Sequence, residues 1–363
     1  MDTERYQRQL ILSGFGPEAQ QLLLQAKVLV IGAGGLGCPA LQYLAAAGVG
    51  YIGIADNDTI ELSNLHRQVL FGTANIGSKK ASVAAKRLQE MNPDPQYRIH
   101  LLRISTQNIA EVFRDYDIIF DGTDNFDSRY LINDTCVRLH KSLVFAAVSG
   151  FEGQLAIFNV PDADGRKTNY RDIFPVPPAH GEIPNCAENG ILGVLPGIMG
   201  TMAAGEIIKL ITGIGKPLIN KLLHYNLLSQ EQYEMNISPS KYDTPLVMEA
   251  SDPDTMPLNH SYIEIDVERM LSLSEEESTI IIDVREKHEF PRLDTETYKQ
   301  VPMSAFDNFL SSEITQNNIV LLCQHGVRSV AAAEALYQKY GHTKTMYSLK
   351  GGIAKWRKHF LTT

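Results

Sequence analysis

The sequence predicts an α/β protein built on a doubly wound, mostly parallel sheet, with a second α/β unit behind it. Three observations carry that expectation. An apolar run, Val28-Leu29-Val30-Ile31, leads straight into a glycine loop, Gly32-Ala33-Gly34-Gly35-Leu36-Gly37. Strand-like and helix-like segments then alternate, as parallel strands joined by crossover helices do. Beyond a polar stretch marked by Pro239, Pro245, Pro253 and Pro257, the same alternation restarts.

Taken in order, an N-terminal helix carries Arg5-Tyr6-Gln7-Arg8-Gln9, followed by Leu10-Ile11-Leu12. The first strand–helix–strand unit covers 27–56, its second strand (51–55) ending at Asp56. A helix over 79–92 is closed by Pro93, which cannot continue it. Strands are expected at 97–102, 118–121, 143–149 and 154–159. Residues 161–190 are rich in Pro, Asp, Gly and Asn and read as a long loop, a kind usually functional or mobile. A helix containing 199–210 follows, then an antiparallel pair over 222–227 and 231–237. The expected domains are 1–240 and 259–363, with 241–258 as linker. In the second, 279–284 and 319–323 fit buried strands and 329–340 a helix.

At 363 residues and 44% hydrophobic content, the chain has room for two domains with buried cores. A net charge of -9 argues against a nucleic-acid partner. No run of about 18 apolar residues predicts a membrane span, and the N-terminus lacks a basic-then-apolar signal pattern. Four scattered cysteines do not resemble a disulfide framework, which leads us to expect a reducing, cytoplasmic setting.

The glycine loop fits G-x-G-x-x-G through Gly32, Gly34 and Gly37, with Gly35 between them. The first glycine permits a tight turn, the second lets the backbone approach a phosphate, and the third lets helix and strand pack closely. The helix N-terminus offers free N–H groups to an anion. Asp56 can accept bonds from ribose hydroxyls. By itself the pattern fits NAD, FAD, S-adenosylmethionine or ATP.

With Arg5-Tyr6-Gln7-Arg8-Gln9, Ser63-Asn64-Leu65-His66-Arg67-Gln68, Lys79-Lys80 and Asp121-Gly122-Thr123-Asp124-Asn125 added, residues 1–240 resemble the molybdopterin-synthase adenylyltransferase and ThiF group, relatives of the ubiquitin-activating enzymes. The resemblance implies a Rossmann-like domain that binds ATP. Asp56 would take the ribose, and Asn64, Arg67 and Lys80 the triphosphate, with Ser63 and Asn125 also at the nucleotide. Asp124 would hold Mg²⁺, a hard cation suited to carboxylate oxygen. Arg8 would reach across a homodimer interface to the partner site. Other readings stay open: Lys79 as the working lysine, Asp124 as an Asx-turn residue, Arg8 in an intrachain ion pair.

The resemblance further implies a ubiquitin-like sulfur-carrier protein ending in Gly-Gly, whose C-terminal carboxylate attacks the α-phosphate of ATP to give an acyl-adenylate. Cys186, in Pro184-Asn185-Cys186-Ala187-Glu188-Asn189-Gly190, matches the family's crossover-loop cysteine; it is either a reactive thiol or an incidental one. Cys38 and Cys136 read as small buried residues. Many members bind structural zinc through two C-x-x-C pairs. Here Asn169-Tyr170-Arg171-Asp172 stands at the first, and the stretch near 230–245 has no cysteine either. No structural zinc is therefore expected, and apolar packing must hold this region instead.

Late in the chain, Cys323-Gln324-His325-Gly326-Val327-Arg328-Ser329 follows an apolar strand and opens a helix. With Asp283-Val284-Arg285 and Gly351-Gly352-Ile353-Ala354-Lys355-Trp356, it makes residues 259–363 resemble a rhodanese domain. The loop's backbone N–H groups, the helix dipole and Arg328 would favour a thiolate or persulfide on Cys323, with His325 shaping the loop. Both halves together imply ATP-dependent adenylation of the carrier and sulfur transfer to it, giving a thiocarboxylate for molybdopterin, thiamine or thiolated-tRNA synthesis. A cysteine desulfurase is the kind of sulfur donor expected. The rival readings are an NAD-dependent oxidoreductase and a non-catalytic binding protein that keeps both folds.

Overall fold

The computed structural model describes residues 4–177, 190–239, 262–276, 278–287, 289–324 and 326–360. They fall into two compact units, one made of the described chain up to 239 and the other from 262 onward. Cys186, His325 and the expected linker 241–258 lie outside the described residues.

In chain order the first unit runs α1 (Gln7–Leu10), α2 (Gly16–Gln25), β1 (Lys27–Ile31), α3 (Gly37–Ala47), β2 (Tyr51–Ala55), α4 (Lys80–Met91), β3 (Gln96–His100), α5 (Ile109–Arg114), β4 (Ile118–Asp121), α6 (Phe126–Arg138), β5 (Ser142–Ser149), β6 (Glu152–Phe158), α7 (Val194–Thr212), β7 (Lys221–Asn226) and β8 (Gln232–Asn236). One sheet joins the strands in the order β3-β2-β1-β4-β5-β6-β7-β8. Pairing is parallel from β3 to β5 and antiparallel from β5 to β8. The parallel part is doubly wound, and its order reverses direction between β1 and β4. Such a switch point opens a crevice at the carboxyl ends of the strands.

β1 explains why the apolar run carries no polar alternation. Val28 and Val30 enter a core packed by α2, α3, α4 and α7. Leu29 and Ile31 enter another core, packed by α5, α6 and the chain around Tyr170. A parallel strand covered on both faces is apolar throughout. The N-terminal helix is shorter than the sequence implied: α1 ends at Leu10, leaving Ile11 and Leu12 exposed, and a separate α2 follows. α7 is long and apolar enough to cross a membrane by length and composition. Here Leu195, Met199, Ala203, Ala204 and Ile207 are buried in the sheet's core, and the buried Glu206 carboxylate accepts the Leu218 N–H at 2.8 Å.

At 169–172, where the resemblance would put a C-x-x-C pair, this chain makes a hydrogen-bonded turn. The Asn169 N–H donates to Asp172 Oδ2 at 2.7 Å, and Asn169 Oδ1 accepts the Arg171 N–H at 2.9 Å. Arg171 then clasps Asp134 of α6 at 2.8 Å through both Nε and Nη2, each side chain less than a tenth exposed. Tyr170 is buried among Tyr130, Phe145 and Phe174, with ring centroids 4.9–5.2 Å apart. The expected apolar packing is present, joined by an ion pair. Among the described residues, no group of three or more His, Cys, Asp or Glu is placed to hold a metal.

The second unit runs β9 (Ile263–Ile265), α8 (Val267–Ser274), β10 (Thr279–Asp283), β11 (Tyr298–Gln300), α9 (Phe306–Leu310), β12 (Asn318–Leu322), α10 (Val327–Tyr340), β13 (Thr345–Leu349), α11 (Gly352–Lys355) and α12 (Arg357–Phe360). Its sheet is parallel throughout, in the order β11-β10-β12-β13-β9. Cys323 is the first residue beyond the central strand β12, at the carboxyl edge.

Arg171→Ala removes the cation from a buried carboxylate, so it should cost about 3–5 kcal/mol in chemical denaturation. A chelator should leave the wild-type unfolding curve unmoved; a chelator-dependent shift would reveal a structural metal after all.

Candidate functional sites

The turn after β1 is packed too tightly for a side chain at Gly32 and Gly37. Gly32 has φ +89, and a Cβ there would meet the Gly122 carbonyl oxygen at 3.0 Å. At Gly37 a Cβ would overlap the Gly32 carbonyl oxygen. The glycine loop and the 121–125 loop therefore touch backbone to backbone, across the switch point between β1 and β4.

Asp56 ties the loop to β2. Its Oδ2 accepts the Ala33 N–H at 2.8 Å and its Oδ1 the Asp58 N–H at 2.8 Å. Burial raises its carboxyl above the usual range, with the Lys80 charge opposing. The remaining lone pairs of this carboxylate are what a ribose could use. The two neighbouring lysines part company at the start of α4. Lys80 is buried and reaches Asp58 Oδ2 at 3.0 Å. Lys79 is exposed and donates to the Asn57 carbonyl at 2.6 Å. The geometry favours Lys80 as the lysine facing the crevice.

The run 61–68 is a tight polar turn. Asn64 Oδ1 accepts the Glu61 N–H at 3.2 Å, and the Asn64 carbonyl accepts the N–H groups of Arg67 and Gln68 at 3.1 and 3.0 Å. Ser63 is exposed, its hydroxyl 3.3 Å from Glu61 Oε2. Arg67 holds the Ser63 carbonyl at 3.1 Å and the His66 ring at 2.7 Å. Its stem lies beside the glycine loop, where a Cβ on Gly35 would be 3.4 Å from Arg67 Cγ. Buried Gln68 faces Gly34, and its side-chain oxygen has no hydrogen-bond partner among the described residues. An orphaned polar atom against a phosphate-type loop fits a site that a polar ligand completes.

The 121–125 loop assigns its polar groups separately. Asp121 accepts from the Thr123 N–H at 2.9 Å and hydroxyl at 2.7 Å. Asn125 is the N-cap of α6, accepting the Ser128 N–H at 2.9 Å. The Asx-turn role weighed for Asp124 thus belongs to its neighbours. The Asp124 carboxylate is exposed and makes no hydrogen bond or ion pair among the described residues. A single carboxylate beside substrate phosphates is how Mg²⁺ is commonly held. Buried Arg129, not singled out from the sequence, donates to the Thr123 carbonyl at 3.2 Å and braces this loop from behind. Arg8 on α1 is likewise exposed, with no ion pair among the described residues. Cys38 and Cys136 are buried as expected. Burial pushes Cys38 up to about 12 and Cys136 well above the usual thiol range.

In the second unit, Cys323 Sγ accepts the Gly326 N–H at 3.0 Å, just before α10 begins. Cys323 is fully covered, so a sulfur donor must displace part of that cover. The Gly351-Gly352 segment supports the loop. The Ile353 and Ala354 N–H groups donate to the carbonyls of Cys323 and Gln324, both at 2.9 Å. A Cβ on Gly352 would collide with the Cys323 and Gln324 carbonyls. Arg285 is buried against Asp283, with Nη2 2.8 Å from Oδ2, and its Nη1 reaches Gln324 Oε1 at 3.4 Å. The guanidinium of Arg328, expected to favour a thiolate or persulfide on Cys323, bonds Glu289 at 2.6 and 2.8 Å. Burial works to raise the Glu289 carboxyl, but the Arg328 bonds hold it below the usual range. Glu289 carries no motif signal; only the fold brings it to Arg328.

Gly37→Ala should abolish nucleotide binding, whereas Gly197→Ala, at a helical position where a Cβ meets nothing, should leave binding at the wild-type level. Isothermal titration with ATP checks both. In the second unit Gly352→Ala should abolish sulfur uptake by Cys323, read as loss of the persulfide mass after thiosulfate treatment.

Comparison with known proteins agrees with this geometry. The ThiF family matches residues 6–246 and the rhodanese-like domain matches residues 266–359. "Sulfur carrier protein adenylyltransferase" of Thermus thermophilus is 49% identical over 62% of this chain and 84% of its own. "Probable adenylyltransferase/sulfurtransferase MoeZ" of Mycobacterium tuberculosis is 38% identical over 98% of this chain and 93% of its own. "Adenylyltransferase and sulfurtransferase uba4" of Emericella nidulans is 35% identical over 98% and 84%. A crystal structure of E. coli MccB shares the fold at TM-score 0.58 and 23% identity, over 68% of this chain and 73% of that one. The chain belongs to the ThiF family, joined to a C-terminal rhodanese-like domain, and is an enzyme of the adenylyltransferase and sulfurtransferase type.

Proposed function

We propose that this enzyme adenylates the C-terminal glycine of a ubiquitin-like sulfur-carrier protein and then delivers sulfur to it as a thiocarboxylate. The observation that carries the reading is the exposed Asp124 carboxylate, without hydrogen bond or ion pair among the described residues, on the loop that packs against Gly32, with Arg67 beside Gly35 and buried Lys80 near Asp56. Two anions must react here, a carboxylate and a triphosphate, so cations around a backbone cradle are what the chemistry requires. Asp56 takes the ribose. Asn64, Arg67 and Lys80 take the phosphates, and Ser63 and Asn125 shape the turns that present them. Mg²⁺, when bound, neutralises phosphate charge, and Asp124 is the residue to hold it. The relatives' names support the carrier as partner.

The carrier carboxylate attacks the α-phosphorus, pyrophosphate leaves, and the acyl-adenylate meets sulfur. Cys323 brings that sulfur as a persulfide, filled by a donor such as a cysteine desulfurase. Its outer sulfur attacks the acyl carbon and AMP leaves, giving an acyl disulfide on Cys323. A second thiol (Cys186, or an external thiol reductant) then attacks Cys323 Sγ, releasing the thiocarboxylate and leaving a disulfide that a thiol reductant reopens. The stretch 241–258 tethers residues 1–240 to 259–363, which raises the local concentration of persulfide near a hydrolysable adenylate. A reducing, cytoplasmic setting keeps both thiols reduced. The product serves molybdopterin, thiamine or thiolated-tRNA synthesis. Arg8, exposed and unpaired among the described residues, completes the phosphate site of a second protomer in a homodimer.

ATP–pyrophosphate exchange, dependent on a Gly-Gly-ended carrier, tests the first half. Arg67→Ala and Asp124→Ala should each lower it by about 100-fold or more. Exchange that proceeds without any carrier, or that survives both changes, would contradict the assignment. Mixing Arg8→Ala with Asp124→Ala subunits should recover roughly a quarter of wild-type exchange, because about half the dimers are mixed and each of those has one intact site. No recovery would place Arg8 in its own subunit's site.

A further inference from the structure

We infer that Ser348 is a positioning residue for the sulfur of Cys323, acting through Ser329. The inference rests on the reading of Cys323 as the sulfur-bearing group. Ser329 lies one residue past Arg328 on α10, and Ser348 lies on β13, the strand beside β12. Cys323 and Ser329 are fully buried and Ser348 is 1% exposed. The Ser329 hydroxyl is 3.6 Å from Cys323 Sγ, 3.0 Å from the Gly326 carbonyl oxygen and 2.9 Å from the Ser348 hydroxyl.

A serine hydroxyl has one proton to give, and Ser329 has three neighbours that could take it. If Ser348 donates to Ser329, the Ser329 oxygen is satisfied as an acceptor and its own proton is left for the other two. In the thiol state the Gly326 carbonyl, at 3.0 Å, is the better acceptor. Once Sγ carries negative charge, a charge-assisted bond to sulfur outweighs a neutral one, and the proton turns to Sγ. Ser348 thus fixes which way Ser329 donates. The formal charges around the loop are already committed. Arg328 is on Glu289, Arg285 is on Asp283, and Glu264, the register neighbour of Ser348 on β9, pairs with Lys350. Among the described residues, the Gly326 N–H and the Ser329 hydroxyl are the hydrogen-bonding groups that meet the sulfur.

The chemistry that needs this donor is sulfane transfer. The Cys323 thiolate attacks the outer sulfur of thiosulfate, a sulfur–sulfur bond forms, and sulfite leaves with the electron pair. Cyanide then takes the terminal sulfur as thiocyanate and returns the thiolate. The thiolate begins and ends the cycle, so a donor aimed at it acts in both half-reactions.

The test uses the full chain with thiosulfate and cyanide, and iodoacetamide alkylation of the Cys323 peptide followed by mass spectrometry across pH. Ser348→Ala should lower kcat about three- to tenfold, the worth of one buried hydrogen bond, with the KM for thiosulfate unchanged. It should also move the alkylation midpoint to higher pH while the melting curve stays in place. Ser348→Thr, which keeps the hydroxyl, should return both readouts toward wild type. Because Ser348 acts through Ser329, adding Ser348→Ala to Ser329→Ala should change nothing further. Wild-type kcat and midpoint in Ser348→Ala, or additive losses in the double variant, overturn the inference. Alkylation reads Ser348 even if wild type takes no sulfur from thiosulfate, an outcome that would count against the reading of Cys323 alone.

Discussion

At Gly32 and Gly37 the turn between β1 and α3 has no room for a side chain, and the site in the first unit is arranged around that fact. The carbonyl of Gly32 lies against Gly37 on one side, and Gly122 packs against Gly32 on the other. This contact brings the end of β4 to the end of β1 and forms the floor of the switch-point crevice. Asp56 bonds the Ala33 N–H and so locks the loop to β2. Every residue assigned to ATP is placed relative to this backbone junction. The same kind of constraint recurs in the second unit, where Gly352 lets the backbone of α11 lie against the carbonyls of Cys323 and Gln324. Each reactive loop is thus shaped by main chain, leaving side chains such as Arg67 and Asp124 available for chemistry.

The region around 169–172 carries no C-x-x-C pair and is held by hydrogen bonds, an ion pair and ring packing. A metal site binds four ligands at one point. The turn at 169–172 instead spreads the task over an Asn–Asp hydrogen-bond pair, the Arg171–Asp134 ion pair and a cluster of aromatic rings. A buried ion pair contributes little compared with an apolar replacement, yet losing one partner is costly. Here it ties α6 to the turn at 169–172.

Much of the fold could be read from the sequence because its signals are local. The run Val28 to Ile31 is apolar on both faces, and Gly32 to Gly37 are spaced as a strand–helix turn demands. The limits of α4 and of β12 fall within about two residues of expectation, the usual reach of pattern reading. What was not legible depends on contacts distant in sequence. β9 and β11 are three residues each, too short for a period to show. Arg129 looks like an ordinary helix arginine until α6 is folded behind the 121–125 loop. Glu289 meets Arg328 across 39 residues, and Ser348 meets Ser329 across 19. The candidate reactive residues lie in motifs; the residues that contact them from elsewhere in the fold carry none.

The central claim is that one chain activates a carboxylate and supplies the sulfur that captures it. Intact-mass analysis of a Gly-Gly-ended carrier, incubated with enzyme, Mg-ATP and a sulfur source, tests this most directly. The account predicts a carrier with one sulfur in place of one oxygen, formed only with ATP and lost with Cys323→Ala. An undiminished product from Cys323→Ala, or a carrier released unchanged despite ATP turnover, would contradict it.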